Sequence, residues 1–303
     1  MSFRIQFADG ILPESCRNAQ YDGQDDRDEH HGPRGGEGSR AGRGNQEAHV
    51  RFRRPHPARR PRHAVVAQRG SERQAPHRSQ VGCRRDQAKD LQEKYGVQVE
   101  FIQADLSNDQ DISKIEDVLK NDADIEILVN NAGIALNGNF LTQDRNEIEK
   151  LLTLNMTAVV RLSHAMSQSL IRKGKGAIIN LGSVLGLAPE FGSTIYGASK
   201  SFIQFFSQGL HLELKDHGVY VQAVLPSATK TEIWERSGID LSQVPPLMDV
   251  NDLVDAALIG FYRKETITIP VLKDENQWNN FEKSRITLLP NFSSADVAQR
   301  YKN

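Results

Sequence analysis

Between Pro13 and Asp90 the chain contains neither leucine nor isoleucine, and this absence limits its fold more than any other feature of its 303 residues. Arg, Gly, His, Gln and Asp fill the stretch, and its only sizeable apolar side chains are Tyr21, Val50, Phe52, Val65, Val66 and Val81. No helical or strand period persists there for more than a few residues. Such a composition cannot bury enough apolar area to offset the entropy of ordering its backbone. Residues 1–83 are therefore expected to stand apart from a regular domain over residues 84–303. They read either as a disordered extension or as a GC-rich coding region translated out of frame, with the frame regained near Arg84.

From about Gln87 the pattern changes. Gln87–Lys94 reads as the end of a helix closed by Gly96, and Val97–Ala104 as a strand. Asp111–Leu119 carries Ile112, Ile115, Val118 and Leu119 on one helical face. Ile125–Asn130 is a short apolar strand, Glu147–Arg172 a long helix, and Ala177–Leu181 the next strand. Thr194–Asp216 is a second long helix, with Phe202, Phe205, Phe206 and Leu210 at helical spacing. Val219–Leu225, Leu253–Lys264 and Thr266–Val271 follow as strand, helix and strand. Apolar strands separated by helices predict an α/β fold, its parallel sheet covered on both faces. Ligands of such sheets sit at the carboxyl ends of the strands, so residues just past each strand are the ones to inspect.

Global composition narrows the function little. A net charge near −1 gives no push toward nucleic acid or an anionic membrane. No apolar run approaches the roughly 18 residues of a membrane span. The first residues lack a basic region followed by an apolar one, so no secretion signal is expected. Cys16 and Cys83 lack the spacing of a zinc site, and a reducing cytoplasm is the expected compartment. No metal site is expected. The arm Arg51–Arg62 carries six arginines that could neutralise phosphates. Only Phe52 offers stacking there, so nucleic-acid binding is the weaker reading.

Chemistry concentrates at Ser183, Tyr196 and Lys200. Tyr196 and Lys200 are four apart in TIYGASKSFIQFF, on one face of the second long helix. A free phenol has a pKa of about 10, and a neighbouring ammonium is expected to move it toward neutrality. Ser183 lies just past the strand AIINL, where its hydroxyl can hold a carbonyl or carbinol oxygen. The strand ending in LVNNAG places amides and Gly133 at a second strand end, where backbone approaches a ligand closely. Asn-Asn-Ala-Gly also reads as an ordinary turn.

These motifs resemble the short-chain dehydrogenase/reductase family. NNAG follows a strand, LTLNMTA supplies Asn155, GAIINLGSVLG places Ser183 thirteen residues before Tyr196, and VLPSATKT follows the next strand. The resemblance runs from about Arg84 to the C-terminus. It implies a Rossmann-like, doubly wound parallel sheet and an NAD(P)-dependent oxidoreductase that interconverts a carbonyl and an alcohol. Tyr196 is implied as acid/base, Lys200 as ligand of the nicotinamide ribose and modulator of Tyr196, and Ser183 as the group that orients substrate. Asn155 is implied to anchor a water leading from Lys200, although a polar residue in mid-helix also reads as satisfied core. Asn131, Ala132 and Gly133 are implied beside the adenosine ribose, Asp105 at the adenine, and Pro226 and Thr231 at the nicotinamide end. Asp105 and Ser107 also read as helix caps.

Two departures stand out. Ser227 occupies a position the family gives to glycine. The family's Gly-rich turn after its first strand has only one formal match, Gly38 to Gly44, with neither strand before it nor helix after it. The regular first β-α-β unit is thus expected to be absent, and a catalytically impaired homologue is the alternative reading. Arg84 and Arg85 resemble basic residues that meet a 2′-phosphate, which leans the expected cofactor, NAD(H) or NADP(H), toward the latter; they also read as an ordinary solvated helix start. Thr231–Asp249 reads either as an apolar lid over the site or as a surface loop packed by its own side chains. The two long helices are expected to pair copies of the chain into a homodimer or homotetramer.

Overall fold

The computed structural model describes residues 64–68, 88–136, 138–231 and 246–302. Its strands are β1 (Ala64–Gln68), β2 (Val99–Gln103), β3 (Ile127–Asn130), β4 (Gly176–Leu181), β5 (Val219–Val224) and β6 (Ile267–Thr268). Among the described residues they form two parallel sheets, β1-β2 and β3-β4-β5-β6. The helices are α1 (residues 88–95), α2 (Asp109–Asn121), α3 (Arg145–Leu152), α4 (Ala158–Lys173), α5 (Thr194–Leu214), α6 (Val250–Arg263), α7 (Glu275–Ile286) and α8 (Leu289–Phe292).

Alternation along the strands divides the core between the two sheet faces. Leu128, Ile178, Val219 and Val221 point into one cluster with Ile112, Ile115 and Leu119 of α2, Leu162, Met166 and Leu170 of α4, and Leu214 of α5. Their neighbours Ile127, Ala177 and Tyr220 point the other way and meet Phe261 of α6. Helices thus cover both faces of the larger sheet, as its continuous apolar strands predict. Each fully buried aliphatic side chain contributes about 1.5–3 kcal/mol. Asn108 caps α2 by accepting from the backbone N–H groups of Gln110 and Asp111. Arg161 of α4 clamps that helix from above, its guanidinium donating to both carboxylate oxygens of Glu116 at 2.9 Å.

Several elements differ from expectation. β1 lies inside the stretch from which no strand was expected, and it runs parallel to β2 with Ala64 opposite Val99. Helix α1 intervenes between them. The long helix expected over Glu147–Arg172 is two helices, joined by a π-helical turn at Thr153–Thr157. The final strand shrinks to Ile267–Thr268. Two helices, α7 and α8, follow it. Between β5 and α6, Thr229 and Met248 form an isolated parallel bridge. Lys230 N–H donates to Met248 at 2.9 Å and Met248 N–H to Ala228 at 2.8 Å. The bridge ties the base of the segment read as a lid or surface loop; most of that segment lies outside the described residues. No described helix is long and apolar enough to cross a membrane.

Candidate active site

Past the end of β4 the backbone continues its ladder. Gly182 N–H donates to Val224 at 2.8 Å and Val184 N–H to Pro226 at 3.0 Å, so Ser183 is held extended beside the end of β5. The Ser183 hydroxyl donates to the Pro226 carbonyl at 3.4 Å and accepts from Leu185 N–H at 3.2 Å. A tight turn, Val184–Gly186, then presses against α5. A Cβ on Gly186 would lie 2.6 Å from the Ser201 nitrogen and 2.7 Å from the Lys200 carbonyl carbon. Only glycine permits that approach. It brings the Ser183 hydroxyl close to the Tyr196 phenol.

One turn along α5, Lys200 is buried, with its ammonium 5.6 Å from the centre of the Tyr196 ring. Its Nζ donates to the Leu181 carbonyl at 2.8 Å. The three residues singled out in the sequence therefore converge at the carboxyl ends of β4 and β5.

Their electrostatics correct one expectation. Burial pushes the Tyr196 phenol up to about 12, with the Ser183 hydroxyl pulling the other way, and the Lys200 ammonium does not bring it down. Burial also pulls Lys200 down to about 8. Both shifts follow from the cost of charging a group away from water. Near neutrality the phenol keeps its proton.

Asn155 sits in the π-helical turn and is 1% exposed. Its Oδ1 accepts from Ile134 N–H at 2.9 Å, and its Nδ2 donates to the Ile134 carbonyl at 2.9 Å and to Ser199 Oγ at 3.2 Å. Ser199 in turn donates to the Tyr196 carbonyl at 2.7 Å. The side chain is a satisfied clamp on the backbone following Gly133. A π-turn of this kind commonly marks a functional site, and here it swings the amide onto that backbone.

Asn131 and Ala132 leave the end of β3 beside a small crevice, walled also by Leu106, Leu154 and Val159, and Gly133 follows them. A Cβ on Gly133 would stand 3.3 Å from Asn155 Oδ1 and 3.5 Å from Lys200 Nζ, so the backbone here borders the buried ammonium directly. Asp105 immediately precedes Leu106. Its carboxylate accepts from Ser107 N–H at 2.9 Å and from Ser107 Oγ at 2.7 Å, while Asn108 rather than Asp105 or Ser107 caps α2. Amides and a bare glycine thus stand just past a strand end, where parallel α/β sheets receive their ligands.

Ser227 takes no left-handed conformation: among the described residues Lys264 is the one non-glycine with positive φ. Serine therefore replaces the family's glycine there without backbone strain. Pro226 contributes its carbonyl to Ser183 and Val184, and Thr231 stands at the edge of the described residues. Gly38–Gly44, Arg51–Arg62, Arg84 and Arg85 lie outside them. No group of three metal-ligating side chains occurs among the described residues. Sequence reasoning missed Ser199 and the Leu181 carbonyl. The first looks like an ordinary helical serine, and a backbone acceptor leaves no residue signature.

The sequence profile described as short chain dehydrogenase matches residues 66–241. A short-chain dehydrogenase from Sphingobium yanoikuyae, solved in complex with NADPH, is 46% identical; the likeness covers 79% of this chain and 90% of that one, with a TM-score of 0.72. The bulky-bulky ketone specific alcohol dehydrogenase from Comamonas testosteroni is 42% identical over 80% of this chain and 89% of its own, with a TM-score of 0.70. The very-long-chain 3-oxoacyl-CoA reductase of Bos taurus is 35% identical over 148 residues, or 48% of this chain and 47% of the relative. This chain spans about half the length of the curated relatives it matches. The profile match over more than half of the chain, together with a solved relative matched over 90% of its length, shows that the chain belongs to the short-chain dehydrogenase/reductase family.

Proposed function

We propose that this chain is an NAD(P)(H)-dependent oxidoreductase that interconverts a ketone and a secondary alcohol, with NADP(H) as the favoured cofactor and Tyr196 as the proton donor and acceptor. The observation that carries the reading is the convergence of the Ser183 hydroxyl, the Tyr196 phenol and the Lys200 ammonium at one strand end. The bound nicotinamide supplies or accepts the hydride. Asn131, Ala132, Gly133 and Asp105 would hold its adenosine end past β2 and β3, and Lys200, Pro226 and Thr231 its nicotinamide end. Ser183 then orients the substrate oxygen, and Tyr196 passes a proton to it. Because the phenol is protonated near neutrality, it can donate to the carbonyl oxygen as hydride arrives.

Two likenesses support the cofactor and the substrate. The Sphingobium relative was solved with NADPH, and the Comamonas relative is specific for bulky-bulky ketones. Next to Ser183, Val184 and Leu187 pack with Ile269 and Trp278 on the cluster of Ala223, Leu225 and Ile267. This apolar surround suits a ketone with apolar flanks. The catalytic unit in this proposal is the domain from residue 84 onward together with β1.

Tyr196→Phe tests the reading. Reduction of a bulky ketone by NADPH is expected to fall by about 10²-fold or more, the usual contribution of a positioned acid. NADPH affinity, followed by fluorescence titration, is expected to hold. Retained turnover in the variant would remove Tyr196 from the mechanism.

A further inference from the structure

Beneath the site four polar side chains from four different elements form one buried network. Asn130 ends β3 and stands opposite Asn180 of β4 in the ladder. Asn130 Nδ2 donates to Asn180 Oδ1 at 2.8 Å and to Ser163 Oγ of α4 at 3.0 Å. Asn180 Nδ2 donates to Ser207 Oγ of α5 at 2.9 Å, and Ser207 Oγ donates to the Ile203 carbonyl at 2.7 Å. Asn180, Ser163 and Ser207 are each 0% exposed.

Apolar side chains could fill these positions without desolvating amides and hydroxyls. Directional bonds add something that apolar packing does not, namely a fixed height and rotation of each helix against the sheet. On α5 the restraint is applied close to the chemistry. Ser207 follows Lys200 by seven residues, two turns along the same face. The residue after Asn180 is Leu181, whose carbonyl receives the Lys200 ammonium. Two consecutive residues of β4 therefore grip α5 at two points on one face, one through a side chain and one through the backbone. Two residues further on stands Ser183.

We infer that Asn180 is a positioning residue for the reaction proposed above, holding α5 through Ser207 so that Lys200 and Tyr196 stay in register with Ser183. The inference rests on that proposed function. Asn180 itself touches none of the reacting groups.

Three variants of Ser207, outside the catalytic set, test it. Ser207→Ala removes the acceptor of the Asn180 amide. Ser207→Thr and Ser207→Val have nearly the same shape and differ by one hydroxyl. In Ala and Val kcat for ketone reduction is expected to fall on the order of tenfold to a hundredfold, the scale for a slightly misplaced catalytic group, with KM and NADPH affinity little changed. Thr is expected to stay close to wild type. Wild-type kcat in Ala, or equal losses in Thr and Val, overturns the inference, and if neither Thr nor Val folds the Ala variant decides alone. Should the wild type reduce no ketone, the proposed function fails on its own. Asn180 is then judged by the ring resonances of Tyr196 in the unliganded protein. They should move in Ser207→Ala, and unchanged resonances count against the inference.

Discussion

At Lys200 a charge is buried with a single carbonyl as its recorded hydrogen-bond acceptor. Its depressed pKa is a statement about stability as well as catalysis. Below pH 8 the folded protein must carry the ammonium in a buried site. From about pH 8 to 10 the folded state binds fewer protons at Lys200 than the unfolded chain does, so stability is expected to rise with pH. Above pH 10 the raised Tyr196 reverses the slope, because the folded phenol keeps a proton that the unfolded one loses. Lys200→Met is accordingly expected to be more stable than wild type at pH 7, by about 1–3 kcal/mol at roughly 1.4 kcal/mol per pK unit less one lost hydrogen bond. It should also lose the rise between pH 8 and 10. Urea unfolding of both proteins at pH 7 and 9.5 checks this, and a variant no more stable at pH 7 would contradict it. The residue types and spacing of Ser183, Tyr196 and Lys200 were legible in the sequence because spacing along a helix and position after a strand are local properties. The balance of burial against charge at Tyr196 was not, since it depends on what other segments enclose the phenol.

Among elements, the turn Val184–Gly186 and the first turns of α5 behave as one piece. Gly186→Ala would force the turn away from the Lys200 and Ser201 backbone. The expected result is a loss of about 1–3 kcal/mol in stability from overpacking, and a fall in kcat that exceeds any rise in KM. Chemical denaturation and steady-state kinetics on the same preparation read both, and an unchanged kcat would separate the turn from the site. Strands β2 to β5 and helices α2 and α5 were readable from apolar periodicity within a few residues of their ends. The break at Thr153–Thr157 was not, because TLNMT continues a helical pattern and the extra residue in the turn shows itself only through where Asn155 points. β1 escaped for a different reason. Its sequence, AVVAQ, is a short apolar run amid arginines, and only its pairing with β2 makes it a strand.

On the scale of the whole molecule, α5 divides its side chains between two duties. One face packs Ile195, Tyr196 and Leu210 on the main core, and another leaves Phe205 78% and Leu212 63% exposed, with open space beside Gly209 between them. We propose that this stripe pairs copies of the chain, as the long helices of the sequence suggested. Light scattering is expected to give a dimer or tetramer for the wild type and a smaller species for Phe205→Asp. Equal masses for the two would place the contact elsewhere. At the far side of the site, the bridge between Thr229 and Met248 carries a different implication. It holds together the two ends of whatever chain runs between them, independently of that chain's length. Doubling such a loop costs only about 0.6 kcal/mol of closure entropy, and neither β5 nor α6 needs to shift. The stretch between them can therefore gain or lose residues while the ends of β5 and α6 stay where they are.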